Sequence, residues 1–255
     1  MRTIVYQSFR THDVPSWLVR CMDSVRAWAR MRGYDYRFYD DELFDLAPRW
    51  YRERVQHHVL PVTDLARLVA ARDLLVSGYQ RTLWIDADVL VFAPDRFDVA
   101  FEREHCFCRE TWLGVNGMGY TPFPGVNNAV TSFQGSAGVV EPFIAAVERR
   151  ALSPVAFHPQ QAGTQLLGEM HLATPLALRH DVAMISPGMH DDFAHDCADA
   201  LAEYARAHGA RSAAANLCGS FRNRVHDGIA LDDAGLERSV DFLLASPRLG
   251  VDGWC

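Results

Sequence analysis

Hydrophobic and polar positions in this chain repeat with two periods, and the switches between them mark its elements. The apolar run Ile4-Val5-Tyr6 opens as a strand, and Gln7-Ser8-Phe9-Arg10 leaves it as a loop. Over residues 15–32 apolar side chains recur at helical spacing (Trp17, Leu18, Cys21, Val25, Trp28, Met31), and Gly33 stops that helix. Residues 34–39 read as a second strand, and Asp40-Asp41 begins a short acidic helix. The spacing predicts a strong helix over 62–76, with Thr63 as its N-cap, Leu65, Leu68, Val69, Leu75 and Val76 as its buried stripe, and Gly78 at its end.

The downstream chain continues the alternation. Strands are expected over 82–92, 105–109, 128–134 and 182–185, with a short strand or loop over 214–220. Helices are expected over 139–151, 163–172, 198–208 and 232–245. Residues 114–125, with several glycines plus Pro122 and Pro124, read as a loop, and Ser186-Pro187-Gly188 as a turn. No internal repeat or low-complexity linker intervenes. Alternating strands and helices predict one α/β domain with a largely parallel sheet, whose ligands bind outside the carboxyl ends of the strands.

One stretch breaks the apolar pattern: Thr82-Leu-Trp-Ile-Asp-Ala-Asp-Val-Leu-Val-Phe92. Asp86 and Asp88 stand two apart in an otherwise apolar run. In extended backbone such residues share a side. Two carboxylates converging near a buried strand end are costly unless neutralised, and a hard divalent cation does this well. Just upstream, Asp64 and Arg67 lie one helical turn apart and can pair on one face.

Composition narrows the chemistry. The 255 residues suffice for one large domain, and 49% of them are hydrophobic, enough for a sizeable core. A net charge of −7 argues against a nucleic-acid protein. All 25 basic residues are arginine. Without lysine there is no Schiff-base, P-loop or lysine general-base chemistry. Cys21, Cys106, Cys108, Cys197, Cys218 and Cys255 form no CxxC pair or zinc spacing, which suggests a reducing compartment. No signal-like or bilayer-length apolar run is present, so the expectation is a cytoplasmic protein, with peripheral membrane contact left open.

The order Thr63-Asp-Leu-Ala-Arg67, helix, Gly78-Tyr, Leu83-Trp-Ile-Asp-Ala-Asp-Val89 resembles glycosyltransferases of the GT-A fold with a DXD motif, nearest the family 32-like group with a sugar-binding region containing DXD. Ile4-Val-Tyr-Gln7, Pro15-Ser-Trp17 and Gly33-Tyr-Asp-Tyr-Arg-Phe-Tyr-Asp40 fit the same pattern, so the resemblance covers residues 1–95. It implies a single GT-A domain over 1–255, with a Rossmann-like mixed, mainly parallel sheet, a donor half over 1–95 and an acceptor half over 96–255. It implies transfer of a sugar from a UDP- or GDP-linked donor to a hydroxyl on a small molecule or glycan, with Mn2+ or Mg2+ and retention of configuration. Asp88 would ligate the metal. Asp86 would bind donor hydroxyls or meet the metal through water, with Ala87 between them. Asp64 and Arg67 would fix donor sugar and phosphates, and Tyr6, Gln7 and Ser8 would line the nucleobase and ribose pocket.

Beyond residue 95 the resemblance thins. Asn127-Asn128 precedes an apolar strand, as in the family, and Asn128 is the catalytic candidate there, its amide able to read sugar hydroxyls; a plain turn before a strand explains it equally. His158-Pro-Gln-Gln161 and Gly163-Thr164 occupy a helix start that faces donor or acceptor, or is simply a cap. Asn216 is the first candidate for a third metal ligand and His190 the second. His190-Asp191-Asp192 and His195 are otherwise expected as a solvated loop and helix start. Trp112, Tyr120 and Phe123 would either stack on sugar or pack their own loop. Two alternatives remain: a haloacid-dehalogenase-type phosphatase, whose nucleophile motif is also hydrophobic-Asp-x-Asp, and a nucleotide-sugar-binding protein of the same fold without turnover.

Overall fold

The computed structural model describes residues 1–99, 102–117, 119–153 and 157–245; Cys255 lies outside them, and of Pro159 and Gln160 only the backbone is described. The first elements are β1 (Thr3–Ser8), α1 (Ser16–Met31), β2 (Asp35–Tyr39), α2 (Arg49–Arg54), α3 (Val59–Val76), β3 (Arg81–Ile85) and β4 (Val89–Val91). There follow β5 (His105–Asn116), β6 (Gly119–Gln134), α4 (Glu141–Leu152), α5 (Thr164–Ala173), β7 (Leu178–Arg179), β8 (Val182–Met184), α6 (Pro187–His195) and α7 (Asp199–His208). The last are β9 (Ala214–Asn216), β10 (Arg224–His226), β11 (Ile229–Leu231) and α8 (Asp233–Ala245). The central sheet runs β2-β1-β3-β6-β5-β7, beside a smaller sheet β4-β9-β8 and a ribbon β10-β11.

Side-chain alternation along the central strands divides the core in two. Val5, Leu83 and Ile85 point to the face covered by α1, whose stripe Trp17, Leu18, Cys21, Val25 and Trp28 is buried there. Ile4, Tyr6 and Trp84 point to the other face, which α3, α4 and α5 cover. β1 pairs in parallel with both β2 and β3, so the ends of β1 and β3 open at the same edge.

The α/β class and the mixed, mainly parallel central sheet are as expected: β1–β2, β1–β3 and β5–β7 are parallel, while β3–β6 and β5–β6 are antiparallel. Several local expectations are corrected. The stretch 82–92 is not one strand; it leaves the central sheet after Ile85 and enters the smaller one at Val89. Helix α3 starts at Val59, because Pro61 falls in the first turn, where a missing N–H costs nothing. Thr63 is therefore no N-cap; its hydroxyl bonds the Val59 carbonyl at 2.9 Å inside the helix.

Residues 114–116 and 119–125 are strand, not loop. β5 and β6 pair out to Asn116↔Gly119, forming a hairpin arm that extends past the sheet. β3 pairs with β6 only from Val130 to Gln134. Pro122 and Pro124, two apart, turn their missing N–H groups to the edge that β3 leaves open, where no ladder bond is lost. Ser186-Pro187-Gly188 is likewise a helix start, with Pro187 at the first position of α6. No helix among the described residues is long and apolar enough to cross a membrane.

Candidate functional site

Asp86 and Asp88 occupy a turn at the open edge of the central sheet. The Val89 N–H closes it on the Asp86 carbonyl at 3.1 Å. The turn is clamped from three sides: the Asp86 N–H donates to the Ala129 carbonyl at 2.7 Å, the Leu217 N–H to the Asp88 carbonyl at 3.0 Å, and Gln7 Nε2 to the Asp86 carbonyl at 3.2 Å. The extended backbone expected for the pair is thus replaced by a fixed turn, but the convergence survives. The Asp88 carboxylate accepts the Gly219 N–H at 2.8 Å. Asp86 Oδ1 accepts Trp84 Nε1 at 2.5 Å and Arg67 Nη1 at 3.2 Å.

The start of α3 joins them. Arg67 is buried, forms an ion pair with Asp64, and donates to the Asn128 carbonyl at 3.2 Å, while its guanidinium lies 5.6 Å from the Trp84 ring centroid. Asn128 Nδ2 donates to Asp64 Oδ1 at 3.1 Å. Gly163, just before α5, packs against Asp64 so closely that a Cβ there would sit 2.7 Å from its carboxylate. Residues from α3, β3, β6 and the start of α5 therefore form one cluster.

Its electrostatics are unbalanced. Three carboxylates share one buried cation, so charge is left over in a partly dry place. Burial raises the pKa of Asp86; Arg67 and the Trp84 hydrogen bond oppose this, and the neighbouring Asp88 charge adds to it. Burial also raises Asp88, against the Gly219 hydrogen bond. Burial lowers Arg67, against Asp86. The Asp86 side chain keeps 27% of its surface open, so a ligand can reach it.

Two cavities of similar size, about 490 and 460 Å³, meet at this cluster and share Asp64, Arg67, Asp86 and Asp88 as a common wall. The first lies over the ends of β1 and β3 and is lined by Ser8, Arg10, Trp17, Ala87, Gly219 and Arg222 among others. The second lies under the hairpin arm, with Glu110, Trp112, Asn127, Asn128, Asn216 and His226.

Several expected site residues stand behind this wall and not in it. Tyr6 is in the core, its hydroxyl donating to the Arg67 carbonyl at 2.8 Å. Gln7 is fully buried; it holds the Asp86 carbonyl and accepts the Tyr36 hydroxyl at 3.1 Å. Both position the site from beneath, whereas Ser8 reaches the first cavity. Asn216 lies beside Asp88 through the Val89↔Asn216 pairing, but its amide oxygen already accepts the Cys218 N–H at 2.7 Å. His190 is not a metal-ligand candidate: both ring nitrogens are engaged, with Ser239 at 2.7 Å and the Leu217 carbonyl at 3.0 Å, and burial pushes its pKa down to about 4. Asp192 is buried too, capping the Leu201 N–H at 2.9 Å, so this acidic stretch is partly core and not a solvated loop. Tyr120 packs against Gly188, and Phe123 remains exposed.

The expected set lacked Gly219, Glu110 and His226. Gly219 follows Cys218, which is held at φ 51°, and a Cβ on Gly219 would meet the Trp17 ring at 2.7 Å. That unusual backbone brings an N–H to Asp88 from far along the chain. Among the described residues no group of three or more His, Cys, Asp or Glu could hold a metal ion by itself. A cation at Asp86 and Asp88 would need amide oxygens, water or ligand oxygens as further donors.

The fold is similar to a solved glycosyltransferase involved in the glycosylation of the major capsid of PBCV-1, at 13% identity over 93% of this chain and 98% of that one, with a TM-score of 0.49. It is also similar to mouse xyloside xylosyltransferase 1 in its apo form, at 10% identity over 86% and 98% of the two chains, with a TM-score of 0.46. A looser likeness, to A197 from STIV, has 13% identity over 57% and 68% and a TM-score of 0.27. No family model matches the sequence and no curated protein is similar to it, so the motif likeness of residues 1–95 stands on residue spacing alone.

Proposed function

We propose that this chain is a metal-dependent glycosyltransferase of the GT-A kind, moving a sugar from a nucleoside-diphosphate sugar to a hydroxyl acceptor with retention of configuration. The observation that carries this reading is the shared wall: two cavities, each large enough for a substrate, meet at Asp64, Arg67, Asp86 and Asp88. A group transfer between two bound molecules needs such a junction.

The first cavity would take the donor. Asp88 and Asp86 suit a divalent cation, because Asp64, Asp86 and Asp88 together exceed the single charge of Arg67, and Asp88 has no cationic partner among the described residues. Such a cation, either Mn2+ or Mg2+, would stabilise the negative charge that develops on the departing diphosphate. Asp64 would hold donor-sugar hydroxyls, in the orientation set by Arg67 and Asn128. Arg10 would bring positive charge to this cavity near the phosphates, beside Arg222, which pairs with Asp233. Asn128 is placed to read the sugar at the junction. The proposal keeps the cytoplasmic setting expected from the cysteines, which are free among the described residues.

The phosphatase alternative is not favoured. No lysine is available to hold phosphate, and Asp86 Oδ1 is already tied by Trp84 and Arg67, a poor state for a nucleophile. The test is calorimetric titration of UDP and of GDP with and without Mn2+, followed by donor consumption. The expected result is nucleotide binding that depends on Mn2+ and is lost in Asp88→Asn. Binding indifferent to both changes would overturn the proposal, and binding without any donor turnover would reduce the chain to a binding protein.

A further inference from the structure

The two cavities differ in charge beyond their shared wall. The first adds Arg10, Arg222, which pairs with Asp233, and Asp41. The second adds Glu110 and no arginine, and its one other titratable ring, His226, is 3.2 Å from Asp227. The shared Arg67 is already committed to Asp64 and Asp86. The second cavity therefore has no free cation among its described lining residues to meet a phosphate or carboxylate.

Its wall is a built surface. Along β5, Glu110 and Trp112 are two apart and share a face; opposite them on β6 stand Gly125 and Phe123. Gly125 leaves the room that the Glu110 carboxylate fills: a Cβ there would lie 2.8 Å from Glu110 Oε2. Asn127 Nδ2 fixes Glu110 by donating to Oε1 at 3.1 Å. Trp112 is held flat by Phe221, the ring centroids 5.2 Å apart and the planes 26° from parallel. The other face of the hairpin is anchored: Arg109 donates to the His208 carbonyl at 3.0 Å, and Thr111 meets His208 Nδ1 at 3.0 Å. A fixed carboxylate accepts hydroxyl protons, and an indole ring packs on C–H surface.

We infer that the second cavity takes an uncharged saccharide as acceptor, one of its hydroxyls held by Glu110 and its C–H face lying along Trp112. Alcohols borne on anionic groups would be excluded by the acidic lining, and simple aromatic alcohols would leave Glu110 without a hydroxyl array to hold. This inference rests on the glycosyltransferase reading and names its second substrate.

Saturation-transfer NMR of the protein with Mn2+ and the nucleotide it binds provides the test. The probes are methyl glycosides of glucose, galactose and mannose, glucose 6-phosphate, and 4-methylumbelliferone. At least one methyl glycoside is expected to bind in preference to both other probes. Glu110→Gln keeps the acceptor for Asn127 and is expected to weaken that binding about ten- to hundred-fold, the range for a hydrogen bond to a charged group. In turnover the same variant should raise the acceptor KM and leave the donor KM unchanged, a split that a merely structural role would not give. Trp112→Phe should weaken binding less than Trp112→Ala. Preference for the phosphate or the phenol, or sugar binding untouched in Glu110→Gln while nucleotide binding is intact, overturns the inference alone. Loss of metal-dependent nucleotide binding in the wild-type chain overturns the underlying reading instead.

Discussion

The two cavities share one wall, yet they are built in opposite ways. The first leans mostly on short-range sequence: the turn of Asp86 and Asp88 follows directly on β3, Asp64 and Arg67 are one helical turn apart on the helix that precedes it, and only Gly219, Ser220 and Arg222 come from far along the chain. The second is made by long-range pairing: Glu110 and Asn127 meet only through the register of the hairpin, and Asn216 and His226 join them from a distal segment. On the proposed reading, a site for a diphosphate and its cation is written largely in local sequence.

The sharpest break in this comparison comes at the junction. Asp88→Asn retains an oxygen for the Gly219 N–H and removes one charge. Metal-dependent nucleotide binding should be lost, and turnover should fall on the order of 10²–10³-fold, as for removal of a group that stabilises developing charge. The metal-free protein should respond in the opposite direction. Because burial raises the folded-state pKa of Asp88 and Asp86, the native state binds protons more readily than the unfolded chain between the ordinary aspartate value of about 3.9 and the raised one. Their contribution to stability is therefore present at low pH and lost as pH rises through that window. Melting temperature against pH, without metal, should show a shallower fall in Asp88→Asn than in wild type.

Metal affinity sharpens the same point. A cation requires both carboxylates ionised, so its binding must expel the protons that burial retains. Affinity for Mn2+ should weaken as pH falls while still well above about 3.9, the value of an unperturbed aspartate. A titration series whose midpoint fell at the ordinary value would remove the buried-pair account.

A smaller effect tests the second side of the wall. Gly163→Ala would place a methyl group 2.7 Å from the Asp64 carboxylate, which is fixed by Arg67 and Asn128 and has little room to yield. Overpacking of this kind costs about 1–3 kcal/mol. The variant should melt several degrees lower, by about 2–4 °C per kcal/mol, and donor KM should rise. An unchanged donor KM would show that Asp64 serves the second cavity instead.

How far the sequence reaches follows from the same division. The central strands, α1 and the acidic pair were readable because period-2 and period-3.6 patterns are local. The sheet is mixed and mainly parallel, as expected, but which strand reverses is not a local property: β6 runs against both β3 and β5 through pairings set far along the chain. Its glycines and prolines read as a loop, since nothing in a single strand tells that its outer edge will lack a partner. The family resemblance implies a nucleobase and ribose pocket lined by Tyr6 and Gln7, but alternation turns Tyr6 into the core, and Gln7 is spent on the Asp86 carbonyl. Glu110 was passed over because an isolated glutamate in a strand has no local sign of what faces it.

The smallest expected effect separates a pattern from a site. His190, Asp191, Asp192 and His195 look alike in sequence, four potential ligands within six positions. The helix α6 sends them to different environments: His190 and Asp192 inward to hydrogen-bonded burial, Asp191 and His195 outward, where they pair at 3.1 Å with the His195 side chain 65% exposed. An exposed pair of this kind contributes little, and substitutions there fall within about ±0.5 kcal/mol. His195→Ala should leave Mn2+ and nucleotide titrations and the melting temperature essentially unaltered. A loss of metal binding in that variant would place the cation at α6, away from the junction of the two cavities, and would undo the assignment of Asp86 and Asp88.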